Sequence, residues 1–143
     1  MTSSSVVCID ASFVVRLVGG ELPESRFEDL WNQWQESRAS IVAPTLLYYE
    51  VSNALHRLAV AGQLRPEHAE QALADALSLN IRLYSDAELH QRALNLARQL
   101  TLPATYDAHY LALAERLGAE FWTSDRRLVQ AVQATLLWVH LVQ

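Results

Sequence analysis

The sequence predicts an α/β fold, a mostly parallel sheet covered by helices on both faces. Three observations predict it. Short apolar runs alternate with amphipathic stretches of helical period along the chain. No Asn-Gly or Asp-Gly pair offers a tight hairpin, so consecutive strands must be joined by crossovers. The stretch from Ala104 to Asp125 reads in succession as a helix start, an amphipathic helix, a stop at Gly118, a short strand and a carboxylate, which is one complete helix–strand unit of such a fold.

The elements follow in order. Val6 to Ile9 is a buried strand, turned at Asp10 into a short helix that breaks at Gly19-Gly20. Pro23 opens a second helix through Gln35, with Phe27, Leu30, Trp31 and Trp34 at helical spacing; that stripe is core, or else a groove for a partner's helix. Ser40 to Ala43 is a strand closed by Pro44, and Thr45 caps a long helix to about Ala61 with Gly62 behind it. On that helix Leu47, Val51, Leu55 and Leu58 share one face, and Glu50 lies on its border. Pro66 at N1 starts a helix to about Ser78. Ile81 to Tyr84 is a third strand, followed by Ser85, Asp86 and Glu88 as a cap and acidic first turn for a helix to Leu100. After Pro103 comes the helix that carries Asp107, with Tyr110, Leu111, Ala114 and Leu117 inward. Glu120 to Thr123 is the fourth strand, Arg126 to Val132 a short helix, and Leu136 to Val142 the fifth strand.

Length and composition narrow the function. A chain of 143 residues, 51% apolar, is expected to make one domain spanning 1–143 with a sizeable core. The N-terminus lacks a basic n-region and no apolar run reaches membrane-spanning length, so a cytoplasmic protein is expected. Cys8, the sole cysteine, lies in a core strand and is expected to pack as a small hydrophobe. All 11 basic residues are arginine, which excludes P-loop, Schiff-base and Ser-Lys chemistry. A net charge of −5 argues against a broad basic surface for nucleic acid, leaving phosphate contacts to a few local arginines or to cations held by acids.

Four acids stand out. Asp10 and Asp125 directly follow strands, Asp107 sits in a helix first turn, and Glu50 borders a core face. Each has an ordinary alternative: Asp10 and Asp125 as helix caps, Asp107 as a complement to the helix dipole, Glu50 as the partner of a nearby arginine. Taken together, carboxylates converging at one sheet edge repel one another unless a cation lies between them. Oxygen donors of that kind suit Mg²⁺ or Mn²⁺, whose natural chemistry here is hydrolysis of a phosphodiester.

The blocks VCIDASFVVRLV, APTLLYYEVSNAL and TYDAHYLALAERLGAEFWTSDRRLV resemble those of PIN-domain ribonucleases, specifically the VapC-type toxins of toxin–antitoxin pairs. The resemblance spans nearly the whole chain in the family's order, and its third block is the most specific. It implies a three-layer sandwich around a five-stranded sheet and a Mg²⁺- or Mn²⁺-dependent endoribonuclease. It places the family's catalytic and metal-holding acids on Asp10, Glu50, Asp107 and Asp125, and its supporting hydroxyl and amide positions on Ser12, Asn53 and Thr123. It further implies RNA as substrate, a homodimer, and a cognate antitoxin whose basic side chain enters the acidic site. With no lysine present, RNA contacts fall to Arg16, Arg57, Arg126 and Arg127. His109 departs from the family's small or apolar residue at that place and reads either as packing or as a group facing the site. Two alternatives stand beside this reading: a housekeeping RNA-processing or DNA-directed PIN enzyme without an antitoxin, and a non-catalytic α/β binding module whose acids merely cap helices. Toxicity on expression separates the first, and stabilisation by divalent ions the second.

Overall fold

A computed structural model describes residues 5–19 and 25–143. Five strands form one sheet in the order β3-β2-β1-β4-β5, and every pairing is parallel. The strands are β1 (Val6–Ile9), β2 (Ser40–Pro44), β3 (Arg82–Tyr84), β4 (Glu120–Thr123) and β5 (Val139–Leu141). Seven helices connect them: α1 (Ala11–Val18), α2 (Ser25–Glu36), α3 (Leu46–Val60), α4 (Pro66–Leu77), α5 (Ala87–Gln99), α6 (Tyr106–Leu117) and α7 (Arg126–Val132).

Parallel strands impose crossovers, and right-handed ones put helices on opposite faces according to the direction of travel. From β1 the chain moves outward through β2 to β3, carrying α1 to α4 on one face, where α1 packs against α3 and α4. It then returns past β1 to β4 and β5, carrying α5 and α6 on the other face, with α6 against β1, β2 and β4. The reversal falls between β1 and β4. In open parallel sheets the crevice at the carboxyl ends of such strands is where ligands bind.

The core is one cluster built from both faces, with Ile9, Phe13, Val42, Leu47, Val51, Leu89, Leu111 and Phe121 fully buried. Phe27, Leu30 and Trp34 of α2 join it and Trp31 is half-buried, so the expected stripe is core. Phe13 meets Phe27 edge-on, with ring centroids 5.1 Å apart. Cys8 is also buried, its thiol donating to the Tyr110 carbonyl, and burial raises its pKa well above the usual thiol value. No helix among the described residues is long and apolar enough to cross a membrane.

Several boundaries differ from the sequence reading. The expected opening of α2 at Pro23 lies outside the described residues, as does Gly20 of the predicted Gly-Gly break. Thr45 does not cap α3 through its side chain; it is itself in helical conformation, and its N–H donates to the Tyr84 carbonyl, tying the turn to β3. β5 is shorter than the apolar run from Leu136 to Val142, because Leu136 N–H still bonds back to the Val132 carbonyl at the end of α7. β3 begins one residue later than expected and β2 runs one residue further, through Pro44.

Candidate active site

The site begins where β1 and β4 end side by side, with Ile9 opposite Trp122 in register. The next positions are Asp10 and Thr123. Asp10 leaves β1 in extended conformation and caps α1, accepting from the Phe13 N–H at 3.1 Å. The same Oδ1 accepts from the Ser12 hydroxyl at 2.7 Å, while Oδ2 accepts from the Thr123 hydroxyl at 2.6 Å. Ser12 and Thr123 thus both spend their single proton on one carboxylate. Their oxygens in turn accept backbone N–H groups, Ser124 to Ser12 at 3.1 Å and Asp125 to Thr123 at 3.0 Å. Asp10 and Thr123 are buried, so this network locks the Asp10 carboxylate across the two central strands.

Two further acids approach from the helices. Asp107 sits half-buried in the first turn of α6, where Gly118, in the left-handed region at φ 62°, ends the helix and returns the chain to β4. Glu50 stands on α3, and its Oε1 accepts the Tyr110 hydroxyl at 2.6 Å. Asp125 caps α7, accepting from the N–H groups of Arg127 and Leu128. Asp10 and Asp125 therefore do serve as helix caps, as the ordinary alternative held, and the geometry joins that role to the cluster.

The electrostatics centre on Asp107, whose charge acts on Asp10 and which feels the charges of Asp125 and Glu50. Burial pushes the Asp10 pKa up; its hydrogen bonds to Thr123, Ser12 and Phe13 oppose this and the charge of Asp107 reinforces it, leaving the carboxyl at about 6. Asp107 also rises to about 6, through desolvation first and then the charges of Asp125 and Glu50. Burial and the neighbouring Glu50 charge push the Tyr110 phenol far up, so it stays a proton donor. Each acid feels another across the same space, although among the described residues no three His, Cys, Asp or Glu side chains are gathered as a ready ion site. The donor set nonetheless fits a small hard cation. It is all carboxylate oxygen, no positive charge among the described residues offsets the burial and mutual repulsion that raise Asp10 and Asp107, and Mg²⁺ needs only one or two direct carboxylates because it keeps several waters.

A groove of about 630 Å³ runs from this cluster between α1 and α3, lined by Ser12, Arg16, Glu50, Asn53, Arg57 and Ser124 among others. It gathers Asn53, Arg16 and Arg57 with Glu50, while Asp10, Asp107 and Asp125 are not among its lining residues. Arg126 and Arg127 lie exposed on α7 and do not line it. Tyr110 was read in the sequence only as a core residue. Its spacing of one turn from Asp107 was the available signal, since i and i+3 share a helix face.

Residues 7–133 match the family model for the PIN domain. Ribonuclease VapC3 of Pyrobaculum aerophilum is 32% identical to the chain over 128 residues, 88% of this chain and 94% of that protein. Ribonuclease VapC9 of Mycobacterium tuberculosis is 33% identical over 91 residues, 64% of this chain and 69% of that protein. Among solved structures, a toxin-antitoxin complex from Klebsiella pneumoniae superposes with a TM-score of 0.70 at 17% identity, over 96% of this chain and 98% of that one. VapC20 of Mycobacterium tuberculosis, a sarcin-ricin loop cleaving toxin, does so with a TM-score of 0.65 at 20% identity, over 91% and 95%. At those identities the two structures speak for the fold alone.

Proposed function

The chain belongs to the PIN-domain family, and from that membership we propose that it is an endoribonuclease dependent on Mg²⁺ or Mn²⁺, the toxin of a toxin–antitoxin pair. The observation that carries the reading is the locked Asp10 carboxylate at the switch point of a parallel sheet, raised by the charge of Asp107, which is in turn raised by those of Asp125 and Glu50. The names of the relatives, VapC ribonucleases, point the same way.

Asp10, Glu50, Asp107 and Asp125 would hold the divalent cation, which when bound supplies positive charge to the phosphoryl oxygens and lowers the pKa of water. The protein's own groups do the rest. Ser12 and Thr123 fix the Asp10 oxygens, and Tyr110 fixes Glu50. Asp107, which retains a proton affinity near neutrality, is suited to orient the attacking water and take its proton at a carboxylate oxygen. Arg57 and Asn53 in the groove meet the RNA backbone, where a guanidinium or amide can bind phosphate oxygen. In the antitoxin complex a cationic side chain would replace the cation among these acids. A second copy of the chain would complete a homodimer.

Expression in a bacterial host tests the reading. Induction should arrest growth and fragment RNA, Asp10→Asn should abolish both, and co-expression of the neighbouring small gene should relieve them. Normal growth with intact RNA at high levels of folded protein would oppose it.

A further inference from the structure

A second cavity, of about 180 Å³, lies between the carboxyl ends of β2 and β3 and the starts of α3, α5 and α6. Thr45, Leu46, Tyr84, His90, Tyr106 and His109 line it. Its volume is below the ~300–1,000 Å³ of sites for drug-sized ligands, so it has room for one flat ring system.

Two links connect it to the acids. Tyr106 precedes Asp107 in the chain, and Leu46 lies one helical turn before Glu50 on the same face of α3. Among the described residues, the aromatic side chains most open to solvent are Tyr49, 76% exposed, and Tyr106, 61% exposed. They immediately precede Glu50 and Asp107. An exposed ring adjacent in the chain to each of two candidate catalytic acids offers a stacking surface to an unstacked base.

The polar lining has a defined sense. His109 Nδ1 lies 2.7 Å from the Thr105 carbonyl, which can only accept, so the proton is on Nδ1. His109 Nε2 therefore accepts from His90 Nδ1, 2.9 Å away, and His90 Nε2 is left as an acceptor with no partner among the described residues. Arg82 does not itself line the cavity, but it holds its guanidinium 5.3 Å over the ring of Tyr84, which does, and so sets a positive charge behind that wall. Aromatic faces, an acceptor for a ring N–H and a cation for the adjoining phosphate are the chemistry of a nucleotide.

We infer that this cavity is a base subsite, taking one unstacked nucleobase from a nucleotide near the scissile phosphate and stacking it on Tyr106. The inference deepens the RNA-cleaving reading and rests on it for the position of the strand. The His90–His109 pair supplies the acceptor that the base edge meets, which gives His109 a place outside the acidic cluster.

The test uses the whole antitoxin-free protein in two measurements. In cleavage of single-stranded RNA with Mn²⁺, Tyr106→Ala should raise KM about 5- to 150-fold, the equivalent of one aromatic–base stack, with a much smaller effect on kcat. It should also flatten base preference at one position near the cut, and Tyr106→Phe should restore both. In a titration with adenosine, guanosine, cytidine and uridine, the ring resonances of His90 and His109 should shift saturably for at least one nucleoside in wild type and not in Tyr106→Ala. A Tyr106→Ala enzyme with the wild-type KM and cut pattern overturns the subsite, including the case where the variant weakens only antitoxin binding. Should the wild type fail to cut RNA, the nuclease reading fails, and the nucleoside titration alone decides the cavity: no shift of either histidine overturns it.

Discussion

The Thr123 hydroxyl donates to Oδ2 of Asp10 at 2.6 Å, joining the ends of the two parallel strands between which the chain's order across the sheet reverses. Both groups are buried, and the bond opposes the desolvation that raises the Asp10 pKa. Thr123→Val keeps the shape and removes the donor, leaving a buried carboxylate oxygen without it. The expected loss is about 1–3 kcal/mol in denaturant unfolding, with a further rise in the Asp10 pKa. An unchanged midpoint would mean that the bond adds nothing to the fold.

Removing divalent ions should make stability depend on pH in an unusual direction. Asp10 and Asp107 have folded pKa values near 6, above the ordinary 3.8, so the folded state holds their protons more tightly than the unfolded chain. Their contribution is complete below about 3.8 and is lost as pH rises through about 6. Asp86, lowered to about 2 by Arg116 and the Leu89 N–H, acts oppositely, and its contribution disappears only as pH falls from 3.8 through about 2. Between pH 4 and 7 the melting temperature in EDTA should therefore fall less steeply with rising pH in Asp10→Asn than in wild type. Parallel curves for the two proteins would contradict the assignment.

Tyr110→Phe removes the 2.6 Å bond to Glu50 while keeping the ring in the core. Loss of a residue that orients a metal-holding carboxylate typically lowers metal affinity or activity about 10- to 100-fold. Mn²⁺ titration and cleavage rate should both show it, in a protein with a near wild-type melting profile. Activity unaffected at limiting Mn²⁺ would remove Tyr110 from the site.

Gly118→Ala tests the junction between the helix of Asp107 and the strand of Thr123. A Cβ at this position would meet nothing within 4 Å, so strain at φ 62° is the whole effect. A loss of about 1–2 kcal/mol is expected by thermal or denaturant unfolding. A loss well beyond that range would point to a packing role that the open surroundings of Gly118 do not provide.

Alternation of short apolar runs with helical period was enough to read a parallel sheet, and strand-following carboxylates were enough to pick out Asp10 and Asp125. Gly118 announced its own left-handed turn. The contacts between distant segments were not legible. Helical period tells which way Tyr110 or His109 points around α6, but the partners, Glu50 on α3 and His90 on α5, are chosen by how the crossovers stack. Leu136 misled for a related reason: an apolar residue at a helix end and one at a strand start look alike until the backbone bond to Val132 is seen. The residue-level roles of Asp10, Glu50, Asp107 and Asp125 came from the family resemblance; spacing supplied only their shared edge.

Cleavage of end-labelled total RNA by the purified, antitoxin-free protein, in Mn²⁺ or in EDTA, beside Asp107→Asn, tests the central claim most directly. Discrete cuts that appear with Mn²⁺, vanish in EDTA and are absent from a folded Asp107→Asn variant are the predicted result. Equal cutting by the variant, or cutting that persists in EDTA, would contradict it.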